Sequence, residues 1–372
     1  MGTYDVDRHP RVGVLLAGLR AWGDEVAEAD EPLPLDTAGR VRMLQQPWRL
    51  PLLAVQLARC WWLVARRARR EARRARPDVV LVGYLGHFDV HLARLLFPRT
   101  PIVLDHLVSA AGTAADRGLS RTARVRRRLL TAIDSAALAR ADLVVVDTPE
   151  HLQALPEAAR GRALVVPVGA PSAWFEAGRA ESARAPRSGG APLRVVFAGL
   201  FTPLQGTPVI GAALAGLAGD PVEVTMIGTG QDAAECRRLA AGNTRVTWRD
   251  WVPAAELPAV VAAHDVNLGI FGTTPKALDV VPTKVYQGAA AGCAVVTSDT
   301  PPQRAALDGA ALLVPAGNPG ALAAALQSLA ADPGRVAALR AAARARAEAA
   351  FGPRVVVTAL RGRAETLVRD GR

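Results

Sequence analysis

The chain contains only two lysines, Lys276 and Lys284, and otherwise uses arginine for every permanent side-chain cation. Both fall in the stretch Asp265–Ser298. That stretch has two apolar runs that read as buried strands, Val266–Phe271 and Ala294–Thr297, separated by a loop and a short helix opening near Thr283. The loop carries Gly272, Thr273, Thr274, Pro275 and Lys276, and Pro282 presets the backbone just ahead of the helix, where a proline costs no hydrogen bond. Free N–H groups of a first helical turn and the helix dipole favour a bound phosphate, and two cations beside them complete an anion cradle. The plainer alternative is a solvated lysine after a glycine-rich loop, which many α/β domains have. The rest of the chain has to decide between them.

A second group of reactive side chains lies in the first half. His87 follows one apolar run in the sequence Gly83, Tyr84, Leu85, Gly86, and the pair Asp105 and His106 closes the next run. Two histidines at two strand ends suit proton transfer or ligand contact, because ligands of parallel sheets bind beyond the carboxyl ends of the strands. A loop histidine that only bonds the backbone is the bland alternative. Asp116 and Arg117, after a loop rich in Gly and Ala, read as a local ion pair.

These residues need a scaffold, and the hydrophobic pattern supplies one. Asp78–Tyr84, Pro101–Asp105, Asp142–Asp147 and Leu164–Val168 read as strands, with helices such as Phe88–Leu96 and Ser120–Arg140 between them. A second series follows: Leu193–Ala198, Val222–Ile227, Arg245–Trp248, Val266–Ile270, Ala294–Thr297 and Ala311–Val314. The alternation implies α/β architecture with parallel sheets and crossover helices. Gly178–Pro192, rich in Gly, Pro and Ser, reads as a linker, so two doubly wound Rossmann-like domains would face each other across a cleft. The expected division is 1–177, an acceptor-side domain; 178–192, the linker; 193–352, a donor-side domain; and 353–372, a helix crossing back to the first domain. The helices Pro333–Ala350 and Pro353–Asp370 would end the chain.

The beginning is irregular. An amphipathic helix, Arg11–Trp22, is preceded by only Met1–Tyr4, too short for the strand that normally opens such a domain, and Glu25–Ala29 reads as a second, weak strand. Either the sheet starts on a stub or upstream residues are missing.

The length of 372 residues fits two domains, and a hydrophobic fraction of 50% provides for real cores. Cys60, Cys236 and Cys293 are odd in number and lack metal spacing, so reduced thiols in a cytoplasmic setting are expected. No signal peptide is legible. The net charge of +11 rests on arginine, and eleven of the arginines lie in Arg40–Arg76 against one acid, Glu71. There they border the apolar run around Trp61 and Trp62, which is too short and too polar to span a bilayer. The segment 48–76 therefore suits an anionic membrane surface, at the inner face of the plasma membrane, or else a solvated helix packed on the sheet. Nucleic acid is not expected, since no aromatic stacking set interleaves the arginines.

Several motifs in order resemble the retaining GT-B glycosyltransferases of glycosyltransferase family four, also called group 1. They are FAGLFTPLQG at Phe197–Gly206, VTMIGTGQD at Val224–Asp232, WVPAAELPAVVAAHDVNLGIF at Trp251–Phe271 and VPTKVYQGAAAGCAVVTSD at Val281–Asp299, with VVPVGAPSAWF at Val165–Phe175 ahead of them. The resemblance implies transfer of a sugar from a nucleoside-diphosphate sugar, held by the second domain, to an acceptor hydroxyl held by the first. It implies retention of anomeric configuration, no metal and no cofactor beyond the donor itself. By position, Gly199, Gln205 and Gly206 belong to the diphosphate loop, Gly228 and Gly230 to the nucleoside side, and Lys276, Asp279, Thr283, Lys284, Val285 and Gln287 to the donor site.

Departures from the family pattern are concentrated in the charged positions. Leu200 and Gln205 stand where the family places an arginine and a lysine, and its paired acids appear as Asp279 and Gln287. Either the donor site is silent, leaving a nucleotide-sugar-binding partner subunit, or the charge has moved to Lys276 and Lys284, as in a branch with a PxKxxE-type or PxKxxQ-type motif resembled by Pro282, Lys284 and Gln287. The second keeps loop, helix start and cations coherent as one cradle. A GT-B sugar epimerase or phosphorylase is the remaining rival. In the transferase reading, the lysines stabilise the leaving diphosphate, while Asp105, His106 or His87 attends sugar and acceptor. No metal site is implied by spacing: there is no DxD-like pair and no His/Cys cluster. The acceptor is open among a lipid-linked saccharide, a polysaccharide and a small natural product.

Overall fold

The computed structural model describes residues 1–5, 9–33, 50–107, 109, 124–182 and 190–371. Trp48, Asp116 and Arg117 lie outside them.

In the first domain, β1 (Val80–Val82), β2 (Ile102–Asp105), β3 (Leu143–Val146) and β4 (Ala163–Val165) pair in parallel in that order. These runs are apolar on consecutive residues because both faces are covered. Leu104, Val144 and Val146 bury against one layer of helices, and Val103, Leu143 and Val145 against the other. Met1 and Gly2 sit beside β1 as a stub: the Met1 amine donates to Leu81 O at 2.8 Å, and Gly83 N–H donates to Met1 O. The strand expected at Glu25–Ala29 is not formed. What remains is one parallel bridge, Gly2 to Asp30, because two partnered residues cannot sustain a ladder. The first helix, Pro10–Ala21, opens on a proline at a position that needs no N–H.

The arginine-rich segment forms one helix, Leu50–Arg74, which seats Cys60, Val64 and Ala68 inward. A buried carboxylate fixes it. Asp89 accepts from Trp61 Nε1 at 2.8 Å through one oxygen and from Thr3 N–H and Oγ through the other. Among the described residues, no helix is long and apolar enough to cross a membrane.

The second domain holds β5 (Leu193–Ala198), β6 (Val222–Ile227), β7 (Val246–Arg249), β8 (Val266–Leu268), β9 (Ala294–Ser298) and β10 (Leu312–Val314), all parallel, in the order β10-β9-β8-β5-β6-β7. The winding reverses between β5 and β8, which opens a crevice at their carboxyl ends. Of the linker expected at 178–192, residues 183–189 lie outside the described residues. Residues 178–182 complete a helix, Ser172–Ser182, whose Trp174 and Phe175 bury in the second domain's core beside Tyr286 and Ala290. A Cβ at Gly178 would lie 2.5 Å from Ala290 O, so glycine is there for close helix approach rather than for flexibility.

Pro333–Ala350 packs on the second domain, and the chain then returns to the first as two helices, Pro353–Val356 and Thr358–Asp370, rather than one. Arg361 bonds Asp24 at 3.0 Å and Trp22 Nε1 donates to Arg354 O at 2.9 Å, which fastens this return.

Candidate active site

Three loops meet backbone to backbone at the crevice. A Cβ on Gly228 would lie 1.9 Å from Gly199 O, and Gly206, at φ 65°, would place one 2.3 Å from Gly272 N. Only glycine satisfies both the left-handed backbone and the approach. Phe271 N–H donates to Gln205 O at 3.0 Å, so the loop after β5 is held on the loop after β8. Gly230 belongs to the same arrangement, its α-carbon against the Phe201 backbone.

Lys284 lies in the first turn of the helix Thr283–Ala290. Helical side chains lean toward the N-terminus of their own helix, and that tilt carries Nζ to the crevice. It donates to Gln205 Oε1 at 2.6 Å, sits 3.6 Å from the centroid of Phe197, and borders Gly199, whose Cβ would be 2.4 Å away. The side chain is buried, and no carboxylate of the described residues neutralises it. Burial therefore holds its ammonium well below the ordinary value for lysine.

The remaining donor-side candidates divide. Thr283 and Gln287 are half-buried on the same helix. Val285 does not line the site: its side chain is fully buried in the core against the sheet, and its N–H is bonded to Pro282 O. Lys276, on the short helix Pro275–Leu278, and Asp279, which follows it, face the first domain instead. Asp279 O accepts from Thr148 Oγ at 3.0 Å, and both side-chain charges act on His151. The two lysines thus have different neighbours: Lys284 lies against Gln205 and Phe197 at the crevice, and Lys276 lies near enough to His151 for its charge to act on it.

In the first domain the structure corrects one candidate. Asp105 is completely enclosed, and Arg11 Nε donates to both of its oxygens, at 2.8 and 3.0 Å. The Arg11 guanidinium also donates to Val166 O and Pro167 O at 3.0 Å, clamping the helix Pro10–Ala21 to the ends of β2 and β4. Burial raises the Asp105 carboxyl above its ordinary value against the pull of Arg11. It is a structural ion pair and not a group open to substrate.

His87 and His106 do come together, edge to face with centroids 5.3 Å apart. The turn that carries His87 is tight, with Leu85 at φ 59°. Asp134, from the helix Arg124–Leu138, joins them, its Oδ1 3.0 Å from His87 Nε2, and Ser109 Oγ donates to its other oxygen at 2.8 Å. Burial pushes the His106 imidazole down to about 4, and the neighbouring His87 adds to the effect. Spacing gave no sign of a His cluster, because its members lie in three separate elements. Asp134 has no sequence signal of its own inside a basic amphipathic helix. His151, bonded through Nδ1 to Asp147 at 2.5 Å, was likewise missed.

Two parallel Rossmann-like domains, with a backbone cradle at the switch point of the second, define the GT-B class. Residues 192–332 match the family model described as glycosyl transferases group 1. Among solved structures, HepE of Anabaena in complex with UDP and glucose is similar at TM-score 0.66 and 16% identity, covering 99% of this chain and 98% of that one. Sucrose-phosphate synthase of Thermosynechococcus elongatus is similar at 0.65 and 16%, covering 92% and 84%. A glycosyltransferase of Rickettsia africae follows at 0.63 and 12%, covering 99% and 97%. No curated protein matches the chain.

Proposed function

We propose that this chain is a retaining glycosyltransferase that moves a sugar from a nucleoside-diphosphate sugar to an acceptor hydroxyl, with protein groups rather than a metal neutralising the leaving diphosphate. The observation that supports it most is the buried ammonium of Lys284 at the crevice, whose side-chain partners among the described residues are an amide and a ring. A buried cation without a counter-charge is costly, and a diphosphate in the glycine-lined loop would supply that charge. The glycosidic bond then forms from the acceptor oxygen to the anomeric carbon as the bond to phosphate breaks, and the acceptor proton passes to the departing phosphate oxygen on the same face. Growing negative charge is met by Lys284 and the first-turn N–H groups of Thr283–Ala290. Closure of the domains aligns the acceptor. Uracil is the first base to try, since the HepE structures hold UDP. Thermal unfolding against a panel of nucleotide sugars tests the donor, because a ligand of the folded state alone raises the melting point. Anomeric NMR of the product tests retention. A silent partner subunit would bind donor without turnover, and an epimerase would alter the sugar without acceptor.

For location we propose peripheral attachment to an anionic membrane at its cytoplasmic face. Leu52, Val55, Arg59, Trp62, Arg66 and Arg73 share the outward side of the helix Leu50–Arg74, with Trp62 58% exposed and Arg66 stacked over it at 4.6 Å. An apolar half followed by a basic half suits an interfacial helix. Flotation with anionic vesicles should show binding that salt weakens; equal recovery with neutral vesicles would refute it.

A further inference from the structure

We propose that His87, His106 and Asp134 form a binding site for a zinc-class divalent cation on the acceptor side of the cleft. All three are buried, and they offer two imidazole nitrogens and one carboxylate oxygen within 4.8 Å of one another. The inference goes beyond the transferase reading and stands without it.

The decisive detail is angular. His87 Nε2 lies 3.0 Å from Asp134 Oδ1, yet it makes no hydrogen bond to any described residue although it is shielded from water. An ordinary His–Asp pair would align its N–H on the oxygen, since a buried donor left unpaired is costly. Two groups that approach closely without pointing at each other are arranged as ligands of a third body. The pair also leaves His106 unexplained, whose ring is turned edge-on to His87.

The donor set agrees with this. Imidazole and carboxylate together suit zinc and its first-row neighbours rather than magnesium or calcium, which take oxygen alone. Bonds of about 2.0–2.2 Å in a tetrahedral site space the donors by roughly 3.3–3.5 Å. Closing the group from its 4.8 Å span therefore needs a shift of about an ångström, within reach of side-chain rotation. Ser109 Oγ, donating to the other Asp134 oxygen at 2.8 Å, is the outer hydrogen bond that orients a carboxylate ligand. Three protein ligands leave one position open for an oxygen of the acceptor or a water. The place is suitable: His106 directly follows β2, and His151, on which the charges of Asp279 and Lys276 act, lies close enough to act on it.

The test uses the full chain, stripped with chelator, and the metal alone. Titration with Zn2+ should show stoichiometric binding, and Co2+ should give the intense visible bands of a tetrahedral ion. His87→Ala and Asp134→Ala should each weaken Zn2+ by more than about 100-fold, and Ser109→Ala by about 10–100-fold. His106→Cys provides a readout by gain, because a cobalt–thiolate charge-transfer band appears only if that position ligates. Circular dichroism of each variant separates ligand loss from unfolding, and for a variant that does not fold the cysteine band decides. Absence of stoichiometric Zn2+ binding, or binding that these substitutions leave unchanged, overturns the proposal.

Discussion

Lys284 Nζ and Gln205 Oε1, 79 residues apart in sequence, lie 2.6 Å from each other at the switch point of the second sheet. Gln205 stands where the resemblance to family four implies a lysine, and the amine found beside it comes from another element.

That relationship makes an exchange possible. Gln205→Lys combined with Lys284→Gln should retain binding of a nucleoside diphosphate within about tenfold of wild type, while Lys284→Gln alone should lose roughly 10–100-fold, the range of one or two charge-assisted hydrogen bonds. A double-mutant cycle on diphosphate affinity measures the coupling. Simple additivity would mean that the two positions do not share a ligand.

Lys284 also carries a cost in the free protein. Its value is lowered by burial, so the unfolded chain binds more protons than the native one, and stability rises with pH from the lowered value up to the ordinary 10.5. Lys284→Met should remove that slope and stabilise the free protein by about 1 kcal/mol, roughly 2–4 °C in melting temperature. Melting curves of both proteins at several pH values check it.

Arg11 and Asp105 are expected to behave as scaffold. Arg11→Leu strands a buried carboxylate and should destabilise by about 3–5 kcal/mol, read from denaturant unfolding. Asp105→Asn should lower stability while leaving kcat per folded molecule unchanged. A large fall in kcat with unaltered stability would return Asp105 to the chemistry.

His151 ties pH to the seam between the domains. Burial pulls its imidazole down, but the bond to Asp147 and the charges of Asp147 and Asp279 outweigh that and raise it above 6.5. A raised histidine contributes stability that is fully present below 6.5 and is lost as pH climbs through the raised value. Wild type should therefore lose stability relative to Asp147→Asn between about pH 6 and about pH 8.

The second domain was the more legible half. β5 and β6 were read to the residue, since long apolar runs bounded by Gly and Pro leave little choice, and the helix at Thr283 was marked by Pro282. Gly199, Gly206 and Lys284, singled out by type and order, lie together at the crevice. The failures have a common cause: a partner distant in sequence decided the outcome. Asp105 looked reactive at a strand end until Arg11 claimed it, and Lys276 looked like a twin of Lys284 until the first domain stood opposite. Val285, implied by the resemblance alone, has its side chain in the core. Residues 178–182 have a linker's composition, yet Trp174 and Phe175 just ahead of them anchor the helix they complete.

The most direct test of the account is calorimetric titration of UDP and of other nucleoside diphosphates into wild type and Lys284→Met. The result expected is binding of at least one of them to wild type and a loss of about tenfold or more in a variant that folds and melts no lower than wild type. Equal affinity in the two proteins would contradict a diphosphate site at Lys284.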